Sequence, residues 1–159
     1  MYYLREMIGE ENVNNALRKL LAGYAYQEPP WPVSHHAVDA FRENTPDSLQ
    51  YIIHDLFETI TLYSNRATEA NVKQLTNGKF ELTLNVSSQK FRADSLGKET
   101  EIPVNDWIEI GVFGEPEGDK KTGPVLYRQK YHITKKENTF TMVLDKKPAE
   151  AGIDPMNLM

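Results

Sequence analysis

Four histidines, His35, His36, His54 and His132, are the side chains best able to bind a metal or move a proton near neutral pH. His35 and His36 are adjacent, with Asp39 three residues further on. Neighbours on a helix diverge by about 100°, so they share one ion poorly and a solvated helix start is expected. His54 and Glu58 stand four apart on one helical face, as either two ligands or an ordinary side-chain pair. A helical zinc-peptidase site needs H-E-x-x-H, whereas this run reads His54-Asp55-Leu56-Phe57-Glu58. His132 falls among Arg128 and Lys130 in a strand pattern, where an exposed strand face is expected.

The carboxylates Asp39, Glu43, Asp47, Asp55 and Glu58 are spread over helix surfaces, and no acid-base pair stands out among them. No G-x-S-x-G elbow, phosphate loop or G-x-G-x-x-G occurs. Trp31, Trp107, Tyr127 and Tyr131 could line a sugar or peptide groove, although aromatics at connector and strand positions more commonly fill a core. The residues therefore yield no catalytic, cofactor-binding or metal-ligating assignment.

Composition narrows the function classes further. The chain has 159 residues and a formal charge of -5, which gives no electrostatic basis for gripping a nucleic-acid backbone. The acidity sits at the front: residues 1–66 carry five lysines and arginines against nine carboxylates, and the remainder thirteen against fourteen. With no cysteine there are no disulfides or thiolate zinc sites. No apolar run approaches the roughly 20 residues of a membrane-spanning helix, and the first residues lack a signal peptide's basic-then-apolar layout.

These residues must be positioned by two kinds of element. Tyr2, Tyr3, Leu4, Met7 and Ile8 recur at helical spacing without a preceding cap, as though a helix were entered midway, which suggests sequence upstream. After Gly9, the residues Val13, Leu17, Leu20, Leu21 and Tyr24 predict one apolar helix face. The stretch from Gln27 to Val33, with three prolines, is a stiff connector. Ser34 is placed to cap a short helix through Phe41, and Thr45-Pro46 to open another. Leu49, Ile52, Ile53, Leu56, Phe57 and Ile60 form the strongest apolar stripe and extend that last helix through Ala67.

From Ala67 the period changes to two. Phe80, Leu82, Leu84 and Val86 alternate with polar residues, and Asn77-Gly78 predicts a two-residue hairpin turn before them. Further strands are expected at Ile108–Val112, Tyr127–Ile133 and Phe140–Leu144, with weaker ones around Phe91 and Ile102. Glu115 to Lys121 and Lys135 to Asn138 are polar connections. The expected fold class is α+β: a short all-helical region over 1–66, then an antiparallel β-sandwich of about seven strands over 67–159.

The order of segments resembles the carboxy-terminal part of an aminopeptidase N-like (gluzincin) zinc metallopeptidase. The resemblance is carried by Met1 to Glu11, by Val13 to Leu21 with the Tyr24-Ala25-Tyr26 exit, and by Ile53 to Tyr63 running into the sandwich. The stretches Lys90 to Asp94, Pro103 to Phe113 and Ala151 to Pro155 are similar to a bacterial branch whose peptidase is joined to a transporter-permease-like membrane part. The resemblance implies a parent that removes amino-terminal residues from peptides, with zinc-bound water as nucleophile and a glutamate as base. The family's zinc helix, further glutamate ligand, amine-recognition loop and catalytic tyrosine have no counterpart here, so no site residue and no zinc are carried over to this chain.

The expectation is thus a non-catalytic fragment that braces a catalytic domain, with the rest of the peptidase as its intramolecular partner. Uncovered apolar surface around Tyr2, Leu4 and the Leu49–Ile60 stripe would promote self-association. The alternative is a free-standing adhesion or carbohydrate-binding sandwich with a helical lead, using Trp31 or Trp107 as a stacking platform.

Overall fold

A computed structural model describes residues 1–118 and 122–159. The chain divides into two compact units, Met1–Thr61 and Leu62–Met159. The fold is α+β, short helices followed by two antiparallel sheets that hold seven strands among the described residues.

In the first unit, α1 (Tyr2–Ile8) and α2 (Glu10–Tyr24) meet at Gly9, whose φ of 88° lies in the region glycine tolerates. Helix α2 forms where the apolar spacing places it, but its buried residues are Val13 and Ala16, while Leu17 and Leu21 face solvent. Small Ala16 permits close approach, and the longer leucines are left uncovered within this unit. Helix α3 (Ser34–Glu43) begins one residue earlier than a Ser34 cap implies. Its first turn is closed by His36, whose Nδ1 accepts from the Val33 amide at 3.1 Å.

Thr45 also acts backwards. Its hydroxyl donates to the Phe41 carbonyl at 2.8 Å, finishing α3 rather than capping the next helix. Gln50 Nε2 donates to the carbonyls of Arg42 and Thr45 and closes the same corner. Beyond this corner the chain forms, in place of one long helix, a 3₁₀ turn (Asp47–Leu49), α4 (Gln50–Ile53) and a π-helical turn (His54–Glu58). The wider π turn rotates the apolar stripe off its axis. Ile52 and Ile53 are fully buried, whereas Leu56, Phe57 and Ile60 are exposed. Leu4 is buried too, so Tyr2 is the exposed member of that pair.

The predicted helix to Ala67 is replaced by strand. β1 spans Ile60–Gln74, because the β-branched and aromatic residues Thr59, Ile60, Thr61 and Tyr63 suit an extended chain better than a helix. The boundary expected at residue 66 accordingly falls earlier, at Thr61. The next strand, β2 (Phe80–Ala93), is long enough to absorb the separate strand anticipated at Phe91. Then come β3 (Glu99–Ile102), β4 (Asp106–Phe113), β5 (Val125–Ile133), β6 (Glu137–Leu144) and an unanticipated β7 (Glu150–Ile153).

One sheet is built on β2. β1 takes one of its edges, and β6 and β3 share the other, opposite Phe80–Ser87 and Lys90–Ala93 respectively. The second sheet runs β5-β4-β7. Their facing sides bury Leu82, Leu84 and Val86 of β2, Ile108, Ile110 and Val112 of β4, and Ile133, Met142, Leu144 and Ile153. Burying each large aliphatic chain contributes about 1.5–3 kcal/mol, so this cluster dominates the unit's stability.

The β1-β2 and β2-β3 connections use the same turn. Gly78 N donates to Leu75 O at 3.0 Å and Gly97 N to Asp94 O at 3.0 Å, and φ is 81° at Gly78 and 80° at Gly97. These are three-residue loops, a turn followed by a left-handed glycine, rather than the predicted two-residue turn. Asn77 keeps an ordinary negative φ and instead accepts the Lys79 amide on Oδ1 at 3.1 Å. The predicted polar loop from Glu115 to Lys121 lies partly outside the described residues, at 119–121.

Candidate functional site

In the sandwich, the three consecutive residues Asn105, Asp106 and Trp107 link a buried charge to an exposed aromatic surface. Asp106 opens β4 with its side chain inward, directly opposite Ile133 of β5. On β2 the inward period continues past Val86 to Ser88 and Lys90, which are 0% and 5% exposed. Lys90 Nζ therefore reaches Asp106, 2.8 Å from Oδ1 and 3.1 Å from Oδ2.

The carboxylate is saturated with donors. Tyr63 of β1 donates its hydroxyl to Oδ1 at 2.9 Å, and the Asn105 amide donates to Oδ2 at 3.0 Å. Lys90 Nζ also lies 5.3 Å from the centroid of the Tyr63 ring, within cation–π range. Ser88 donates to Asn65 Oδ1 at 2.7 Å, extending the polar seam along β1 and β2. Such a pair supplies no free base and no nucleophile. It fixes the relative placement of three strands, β1, β2 and β4, at the polar end of an otherwise apolar interior.

Trp107 points the other way, being 42% exposed, and stacks on His132, its cross-strand partner, with ring centroids 5.2 Å apart and planes at 20°. His132 Nε2 lies 2.7 Å from Asn105 Oδ1, which holds the imidazole in place. On the same outer face Arg128 Nε donates to Glu109 Oε2 at 2.7 Å. His132 is thus on an exposed strand face, as its alternation indicates, and it is held there as part of a platform by the Trp107 stack and Asn105.

Tyr127 and Tyr131 lie on the inner side of β5, half-buried against the core, with Tyr131 stacked obliquely on Phe140. Burial, followed by the hydrogen bond with Tyr131, pushes the Tyr127 phenol up to about 12, so it stays neutral. Trp31 is exposed in the first unit.

The remaining candidates belong to the first unit, where His36, Glu43, His54 and Glu58 form structural pairs. His36 stacks on Tyr24 with centroids 4.7 Å apart, beside a groove of about 440 Å³ that also takes in Lys19, Asp39 and Glu43. Lys19 pairs with Glu43. Glu58 is held by His54, Nδ1 to Oε2 at 2.8 Å, and by Arg42. The His54 hydrogen bond, with Arg42 adding to it, lowers the Glu58 pKa. His35 and Asp47 are exposed, and Asp55 is buried.

Among the described residues, no donor set fits the zinc that the family resemblance implies for the parent. The Glu58 carboxylate is already taken by a guanidinium and an imidazole. No group of three or more His, Asp or Glu able to hold a metal occurs among the described residues. No protein-family model matches the chain, and no curated protein matches its sequence.

The buried pair Lys90–Asp106 escapes a reading by hydropathy. Its only signal is phase: Ser88 and Lys90 fall on the positions that continue the Leu82, Leu84, Val86 alternation.

Proposed function

We propose that this chain is a non-catalytic carboxy-terminal part of a zinc-dependent aminopeptidase of the aminopeptidase N-like class, serving to brace the catalytic domain and shape its cleft. The observation that carries the reading is the succession of elements: a run of short helices ending at Glu58 passes within two residues into the first strand of a two-sheet sandwich. It agrees with the strings that carry the family resemblance. The exposed Tyr2, Leu17 and Leu21 are, on this reading, covered by the rest of the peptidase. Peptide hydrolysis belongs to residues outside this chain.

The test is the coding region upstream. It should encode H-E-x-x-H with a further glutamate on a following helix, and its absence overturns the reading. In parallel, zinc calorimetry and an aminopeptide hydrolysis assay on this chain should both be blank. Hydrolysis with stoichiometric zinc would refute the supporting role.

A second reading, a carbohydrate-binding or adhesion sandwich, is favoured by the Trp107–His132 stack, whose exposed ring could seat the apolar face of a sugar. Titration of oligosaccharides against Trp107 fluorescence, in a Trp31→Phe background, separates the two. Saturable quenching lost in Trp107→Ala supports the second reading, and no response supports the first.

A further inference from the structure

β1 runs for 15 residues at the margin of the four-stranded sheet with β2 along one side, and among the described residues no strand pairs with its other side. Every residue from Arg66 to Gln74 is exposed, so this half of the strand lacks cover on both faces as well as on its edge. A long free edge offers unpaired amides and carbonyls to another strand, and natural edges are commonly blunted by proline, a bulge or an unmatched lysine. Tyr63 and Asn65 turn inward and Glu69 outward, so the strand's phase slips between Asn65 and Glu69; beyond that slip there is no proline, and the lysine, Lys73, stands four residues after Glu69.

The direction of each residue is set by the turn. Leu75 N donates to Lys79 O at 2.8 Å. Strand alternation then turns the amide and carbonyl of Asn71 and Lys73 toward β2, and those of Ala70, Val72 and Gln74 toward open solvent. Side chains alternate likewise. Glu69 Oε2 accepts from Asn85 Nδ2 at 3.0 Å, and Asn85 sits between the inward Leu84 and Val86, so Glu69, Asn71 and Lys73 share the outer face of the sheet. Asn71 Nδ2 donates to Glu69 Oε1 at 2.9 Å and holds the carboxylate on that face.

We propose that two copies of this chain pair antiparallel through the free edges of β1, about a twofold axis at Asn71. In that register Ala70 of one copy and Val72 of the other exchange both outward backbone hydrogen bonds. Each Glu69 stands directly across from the Lys73 of the other copy, and symmetry makes the pair twice. Moving the axis to Ala70 sets Glu69 against Asn71, and moving it to Val72 sets Glu69 against Leu75. Either shift loses both ion pairs, so charge selects one register and turns the lysine from a blocking residue into a matching one. The pairing joins two four-stranded sheets into one and covers Val72.

Sedimentation velocity and native mass spectrometry on the full chain test this. The expected result is a concentration-dependent dimer. Glu69→Lys and Lys73→Glu should each weaken it on the order of tenfold by placing like charges opposite one another at both pairs. The double exchange Glu69→Lys with Lys73→Glu should restore it. Ala70→Pro removes an outward donor while sparing the bonds to β2, and should leave a folded monomer by circular dichroism. A wild type monomeric up to millimolar concentration overturns the proposal. So does failure of the double exchange to restore the dimer. A dimer indifferent to all these changes also overturns it and moves the contact to Tyr2, Leu17 and Leu21.

Discussion

Lys90 Nζ and Asp106 Oδ1 meet at 2.8 Å with side-chain exposures of 6% and 0%, making a fully enclosed ion pair between β2 and β4. Removing one partner strands the other charge away from water, so Lys90→Ala should cost about 3–5 kcal/mol. The joint replacement Lys90→Met with Asp106→Leu should cost much less, because neither charge then remains buried. Urea unfolding followed by Trp107 fluorescence, with Trp31→Phe to silence the other indole, measures both. Equal losses for the single and the joint replacement would contradict the role assigned to the pair.

Gly111 and Gly152 face each other across β4 and β7, yet only one of them is sterically required. A Cβ at Gly111 would lie 2.7 Å from Pro155 Cγ, whereas nothing lies within 4 Å of one at Gly152. Gly111→Ala should therefore destabilise by about 1–3 kcal/mol through overpacking, and Gly152→Ala should be close to neutral. Thermal melts of the two variants give the comparison.

The repeated turn gives a matched set of substitutions. With φ of 81° and 80°, Gly78→Ala and Gly97→Ala should each cost about 1 kcal/mol. Asp94 Oδ1 accepts from the amides of Leu96 and Lys98, both at 2.9 Å, so Asp94→Ala should add a further loss of about 1–2 kcal/mol at the second turn alone. Amide hydrogen exchange at Lys79 and Lys98 reads each turn separately.

Glu58 and Asp154 should titrate in opposite directions from ordinary carboxyl groups. Hydrogen bonding by His54 first, then by Arg42, lowers Glu58 below 4.5, so its contribution to stability is whole above that value and vanishes as pH falls through its own lower midpoint. Burial raises Asp154 above 3.8 despite the amides of Leu158 and Met159. Its contribution is whole below 3.8 and fades as pH rises through the raised midpoint. Carboxyl carbon titration by NMR should show both displacements, and His54→Ala should carry Glu58 back toward 4.5.

The sandwich was legible wherever alternation and apolarity coincide, as at Leu82, Leu84 and Val86, or Ile108, Ile110 and Val112, all buried as their spacing demands. Helical periodicity located α2 but not its buried face, since burial depends on which neighbours arrive and the moment of a single helix carries no such information. The helix expected through Ala67 fails for a physical reason. Leu56, Phe57 and Ile60 keep the i, i+4 spacing while the residues around them, Thr59, Thr61 and Tyr63, favour extended backbone. Lys90 and Asp106 were least visible, because two charges that satisfy each other are apolar only as a pair.

β2 carries one further implication, for how the chain comes off the ribosome. Its first eight residues await β6, and the Asn85–Thr139 contact spans 54 positions, while β1 and β3 are already at hand through short loops. Residues 106–133, which supply Ile108, Ile110, Val112 and Ile133 to cover Leu82, Leu84 and Val86, emerge before β6, but the edge of β2 from Phe80 to Ser87 stays open throughout that interval. Closure by the late-arriving strand is then the slow event, and the nascent chain is most vulnerable to clumping, and most in need of a chaperone, before residue 144 has emerged.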